Sequence, residues 1–334
     1  MHADHLPAYG SHALFGTWSA HPGWLIAGVV LLAGYGWAVR RAAVHGRGLP
    51  AWRVVSFVLG VLIMEVTIAS AIDAYAMDLF WMHMVEHLVL IMVVPVFLVL
   101  GHPLTAIRDA LTSPARERFE AVLRSRPVGI LTDPMVGLLV YTLVIITTHL
   151  TDFMDQMAMH GWVMTFEQVL YVVAGCWLMM PLLAFEPLRR NVPYLLRIAV
   201  LFLAMVPDAV VGIVLLQTDD NLFPMMMSMH PAWAPDPVRD TNIAGALMWA
   251  AGDGLMMFIA VGVVIAMISD PDQSRQGFGT WLEGARRRTM VQHVNFDHDG
   301  PAGDVPEVDF DPDGDEALAA YNRMLGRLGG GDRG

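Results

Sequence analysis

Two histidines, His83 and His87, stand four residues apart in an otherwise apolar run, with Glu86 between them. On a helix, positions i and i+4 share one face a turn apart. The two imidazoles can therefore chelate one ion, or each can bond to a neighbouring helix. Soft donors recur in Met225-Met226-Met227-Ser228-Met229-His230 and in Met154, Met157, Met159 and His160. Thioether and imidazole together suit copper, Cu(I) above all, whereas calcium or magnesium would call for oxygen ligands. The alternative for each methionine is a flexible apolar filler at an interface or a partner-binding surface.

The elements that must position these groups are membrane helices. Of 334 residues, 55% are apolar and only 16% charged, against about 25% charged in an ordinary soluble domain. Apolar runs of about 20 residues, long enough to cross a bilayer, recur at about 22–39, 54–72, 79–101, 128–149, 161–184, 195–217 and 242–268. The fold class predicted is an all-α integral membrane protein with seven transmembrane helices, which excludes a water-soluble enzyme, a repeat solenoid and a nucleic-acid binder. The single cysteine, Cys176, lies inside a span and rules out an intrachain disulfide or CxxC site. Residues 1–21 read as a His-containing external segment and 22–269 as the membrane domain. Residues 270–334 read as an acidic, largely disordered tail, with short helices opening near Thr280 and Asp315.

Arginine sets the expected orientation. All 20 basic residues are arginine, and only Arg239 falls outside the loops between spans one and two, three and four, five and six, and the C-terminal segment. The positive-inside rule then puts the N-terminus outside and the C-terminus in the cytoplasm. The methionine- and histidine-rich loops fall on the outer side. The first span, with basic residues after it and none before, reads as retained rather than cleaved.

Ionisable groups inside spans are costly and usually mark a pathway or site. Given this orientation, Glu65, His149 and Asp208 lie toward the outer ends of spans two, four and six. His83, Glu86, His87 and Glu167 lie a turn or two below the outer surface on spans three and five, and Asp253 lies near mid-membrane. Five helices thus carry ionisable groups at similar depth, which would form one outward-opening chamber if those helices bundle around it. Pro95 and Pro207, each within a span, permit kinks that could shape it.

The run His83-Met84-Val85-Glu86-His87-Leu88-Val89-Leu90, continuing through Pro95 to Gly101-His102-Pro103, resembles the third-span signature of the CtaG-like cytochrome c oxidase assembly factors of the seven-span, Gram-positive type. Asp240, Ala244-Gly245, Met248-Trp249 and Gly252 resemble that family's motif at the start of the last span. His149 and the Asn221-Leu222-Phe223-Pro224 stretch fit less specifically. The resemblance covers about residues 20–268. One departure lies in the fifth span, where the family tends to show His-x-x-Glu-His and this chain has Met164, Glu167 and Gln168.

The resemblance implies a non-enzymatic factor of the bacterial plasma membrane, needed to make active haem-copper oxidase and working with oxidase subunits, with copper supplied on the outer face as the expected means. The candidate metal ligands are His83, Met84, His87, His149, Met164, Met225, Met226, Met227, Met229 and His230. Glu65, Glu86, Glu167 and Asp208 are expected to orient imidazoles or take up protons. Three other readings stand beside this one: a proton- or ion-coupled transporter using the intramembrane carboxylates, a membrane cytochrome with haem between His83 and His149, and a purely structural partner of the oxidase.

Overall fold

The computed structural model describes residues 6–10, 12, 16–183, 186–189, 192–227 and 230–269, without the side chains of Met226 and Met227. The tail from residue 270, with the helices expected near Thr280 and Asp315, lies outside the described residues. The chain divides into two compact units, residues 1–264 and 265–334. The described part of the second is only the end of the last helix.

All regular structure among the described residues is helical. Six helices are long and apolar enough to cross a membrane: α1 (Pro22–Val44), α2 (Ala51–Ala69), α4 (Phe80–Ala110), α9 (Gly161–Leu183), α10 (Tyr194–Leu216) and α12 (Pro237–Ser269). A seventh span forms only if α7 (Pro134–His149) and α8 (Phe153–Met159), bent by 63°, are taken together. Short helices α3 (Ala71–Ala76) and α11 (Pro224–Met227) lie at the end that bears the methionines, and α5 (Ser113–Leu123) and α6 (Arg126–Leu131) at the end that bears the arginines.

Local chemistry explains the boundaries. Asp133 and Asp236 cap the starts of α7 and α12, accepting from Met135 N and Val238 N at 3.0 Å each, with proline in the first turn where its missing N–H costs nothing. Two spans are irregular within the bilayer. A π-helical turn, Val89–Val93, follows the histidine pair in α4, and another, Met248–Gly252, precedes Asp253 in α12. Such turns are frequent at functional sites. Gly252 faces Leu88, Met92 and Asp208, so the second irregular turn lies against the third span and α10.

Large apolar side chains such as Ile26 and Val29 on α1, Phe202 and Val206 on α10, and Phe258 and Ile265 on α12 are exposed, as a lipid-facing belt requires. Inside, helices approach through small residues. A Cβ on Gly175 of α9 would collide with the Ile91 carbonyl in the irregular turn of α4, and one on Gly245 of α12 with backbone atoms of Leu216 and Gly212 on α10. The first contact brings α9 against the histidine-bearing helix.

Candidate metal centre

His83 and His87 leave α4 on one face with ring centroids 3.9 Å apart, and Glu167 of α9 reaches into the same space. Its Oε2 lies 3.5 Å from His83 Nε2 and 3.3 Å from His87 Nε2. One donor atom from each of the three residues can be chosen so that all lie within 4.8 Å of one another, and all three side chains are buried. Neither ring nitrogen of His83 or His87 has a hydrogen-bond partner, nor does Glu167 Oε1. Buried polar atoms are normally hydrogen-bonded, and those left over call for an explanation such as an ion.

A third imidazole borders this group. His149, the last residue of α7, has its ring 5.3 Å from that of His87. Its Nδ1 lies 3.0 Å from the Ile145 carbonyl, so that nitrogen carries the proton and the buried, unpartnered Nε2 keeps a free lone pair. Thr148 and Tyr171 close this side, their hydroxyls 2.7 Å apart and the Tyr171 ring packed edge-on against His87. Tyr171 is one turn from Glu167 on α9, a spacing that identifies it once Glu167 is singled out.

On the other side Glu86 turns away from the imidazoles. Its Oε1 accepts from Gln168 Nε2 at 2.6 Å, and the same nitrogen donates to Asp73 Oδ1 at 2.8 Å. The amide cannot be the other way round, because Trp24 Nε1, which can only donate, bonds Gln168 Oε1 at 3.0 Å. Asp73 Oδ2 in turn meets His21 Nε2 at 3.0 Å. Burial raises the Asp73 carboxyl above its ordinary pKa, opposed by His21 and by the Gln168 hydrogen bond. Asp73 was not among the residues expected from sequence, since a polar group just past a span reads as solvated loop. Its place in the buried helix α3 is a tertiary fact.

The remaining carboxylates separate. Asp208 accepts from Tyr141 OH at 2.6 Å in a second polar group near Asp253, whose buried Oδ1 has no partner. Glu65 lies against Gly28 at the contact of α1 with α2. No described contact joins it to the histidines.

Asp240 of α12 holds the start of α4, accepting from Phe80 N at 2.7 Å and Trp81 N at 3.2 Å. His230 Nε2 donates to the same carboxylate at 2.9 Å, so that histidine is tied to the helix cap rather than placed beside His83. Met84 is buried on α4 and Met164 half-buried on α9. The methionine-rich helices α8 and α11 pack on one another, with Met225 N donating to Asp155 Oδ1 at 3.2 Å. Met154 and Met157 are buried, while Met159 and Met225 are about half exposed. Met229 lies outside the described residues, and nothing is described of the side chains of Met226 and Met227.

A family model described as cytochrome c oxidase caa3 assembly factor matches residues 33–270. Uncharacterized proteins of Mycobacterium bovis and Mycobacterium tuberculosis are each 26% identical over 310 residues, which is 90% of this chain and 43% of theirs. One of Mycobacterium leprae is 27% identical over 248 residues, 72% of this chain and 37% of its own length. The chain thus spans less than half the length of these curated relatives. No solved structure matches it. The α4 signature, the α12 motif with its capping aspartate and the match over the bundle place the chain in one family: it belongs to the cytochrome c oxidase caa3 assembly factors.

Proposed function

We propose that the protein serves the making of haem-copper oxidase by holding Cu(I) at His83, His87 and Glu167, with His149 Nε2 as a further donor, and passing it to an oxidase subunit. The observation that carries this reading is the convergence of buried donor atoms that lack hydrogen-bond partners. Charge favours a monovalent ion. With neutral imidazoles and one ionised carboxylate, Cu(I) leaves the group neutral, whereas a divalent ion would leave a net positive charge in a low-dielectric interior. Imidazole suits copper, and the half-exposed Met159 and Met225 offer the softer, weaker contacts that a passing ion would use. The arginine-bearing end is cytoplasmic on this reading, so the site lies toward the outer face. Copper is cargo here, so no bond of a substrate is made or broken and no catalytic residue is required.

The test is metal analysis of the full chain, purified under reducing conditions with copper supplied, beside the His83→Ala/His87→Ala variant. The double variant should lose most of the retained copper while staying in the membrane at normal abundance. In a strain lacking the protein, the oxidase should be synthesised but inactive and deficient in copper. Full copper occupancy in the double variant, or a normal oxidase in the deletion strain, contradicts the proposal.

The second reading, an ion-coupled transporter, draws support from the Tyr141, Asp208 and Asp253 group, which puts further carboxylates deeper in the bundle. Ion-dependent flux in liposomes without retained metal is the result that would favour it.

A further inference from the structure

The buried site is joined to the methionine-bearing end by a line of polar contacts that a metal-holding role alone does not need. His21, 39% exposed at the start of α1, bonds Asp73. Asp73, buried, bonds Gln168, which bonds Glu86. Glu86 Oε2 is buried without a partner. Gln168 and Glu86 are chain neighbours of Glu167 and His87, so the line ends beside the metal-binding group. The upper end is fixed in place. Ser19 N donates to the Ala69 carbonyl at 2.9 Å, Ser19 Oγ lies 3.1 Å from His21 Nε2, and Ser70 Oγ caps α3 through Ile72 N at 3.3 Å. His21 and Asp73 are therefore held against each other by two separate parts of the backbone.

Any charge the carboxylates of this line carry is negative. Asp73 and Glu86 share the two N–H groups of one neutral amide, and no arginine pairs with either among the described residues. Only the partly exposed His21 is available as a counter-charge. Carboxylates in a low-dielectric wall without a fixed cation focus a negative potential that draws cations inward and repels anions.

We infer that His21 and Asp73 form an access site for the metal cation, the point at which it leaves water or a donor and starts along Gln168 and Glu86 toward His83 and His87. This rests on the proposed metal-holding role and adds the route. The imidazole and carboxylate at the mouth are exchangeable ligands, and the three buried donors below are the resting place. Because a path lowers one barrier in both directions, damage to it slows loading and release alike and leaves final occupancy where His83, His87 and Glu167 set it.

The experiment is time-resolved transfer of Cu(I) from a coloured chelator complex to the purified full chain in lipid nanodiscs, read by loss of the chelator colour. His21→Ala and Asp73→Asn should each slow transfer by about tenfold, the lower range for electrostatic steering, with unchanged final occupancy. Asp73→Glu, which restores the charge, should recover most of the rate. His83→Ala/His87→Ala should lose final occupancy instead. If that double variant loses copper while His21→Ala and Asp73→Asn load at the unaltered rate, the route is wrong and the site stands. If Asp73→Asn loses occupancy as fully as the histidine variant, Asp73 belongs to the site or to its framework, and the access role fails. Full occupancy in the histidine variant removes the site and the route together.

Discussion

Glu167 is the side chain on which the proposed chemistry turns, because among the described residues it supplies the one carboxylate within 3.5 Å of both the His83 and the His87 imidazole. Glu167→Gln keeps the volume and removes that charge, so a bound monovalent ion would then stand uncompensated in the bilayer interior. Copper affinity should fall by more than about tenfold, the lower figure for losing a partner that merely orients a metal-bound imidazole, because Glu167 is itself a proposed donor; a competition titration against a chelator measures it. Glu86→Gln should cost less, since its carboxylate points to Gln168 and not into the cluster. A larger loss for Glu86 than for Glu167 would reverse this assignment. The histidine pair was legible in the sequence because four residues of helix bring two side chains together whatever the tertiary fold. That Glu167 lies level with the pair was legible too, since span order and direction fix relative height along the bundle. Azimuth is not fixed that way, which is why Glu65, at a similar height, was grouped with the histidines and instead lies against Gly28.

Helix ends carry the next layer of control. The start of α4, and the short stretch Pro103–Ala110 with which it resumes after His102, are both held by carboxylates from far away in the chain: Asp240 accepts from the amides of Phe80 and Trp81, and Glu186 from those of Leu104 and Thr105 at 3.2 and 2.8 Å. Each cap is worth about 0.5–2 kcal/mol, and only the first lies one turn above His83. Asp240→Ala should lower both the midpoint of thermal unfolding and copper retention, whereas Glu186→Ala should lower the midpoint alone. Equal retention in the two variants would show that the cap does not align the histidines. The Asp240 motif was visible in the sequence, but its partner was not, since a capping contact across 160 residues leaves no local pattern. The fourth span shows the same limit. Its apolar run reads as one helix over 128–149, yet the chain forms α6, restarts at Pro134 behind the Asp133 cap, and then bends into α8 where Thr151 and Asp152 interrupt the apolar pattern.

For the molecule in its membrane, orientation decides which compartment the centre serves. In a Cys176→Ser background, Asp219→Cys should react with a membrane-impermeant thiol reagent on intact cells, and Arg118→Cys only after lysis, both positions being exposed. The opposite pattern would move the site to the cytoplasmic half and remove outer-face delivery with it. The gathering of arginine at one end of the bundle was legible because arginine alone carries the positive charge, and the labelling pattern decides which side that end faces. The joining of α8 to α11, and of α1 to α9 through Trp24, was not, since helix neighbours in a bilayer are chosen by small-residue packing that leaves only a weak trace. The long-range cap on α4 also has a bearing on biosynthesis. The histidines are made first and their glutamate next, but the carboxylate that holds the start of their helix is made only with α12, and so large a loop is slow and entropically costly to close. During synthesis the donor atoms are thus all made before the helix bearing two of them is fastened, so the nascent protein has an unfinished centre until α12 inserts.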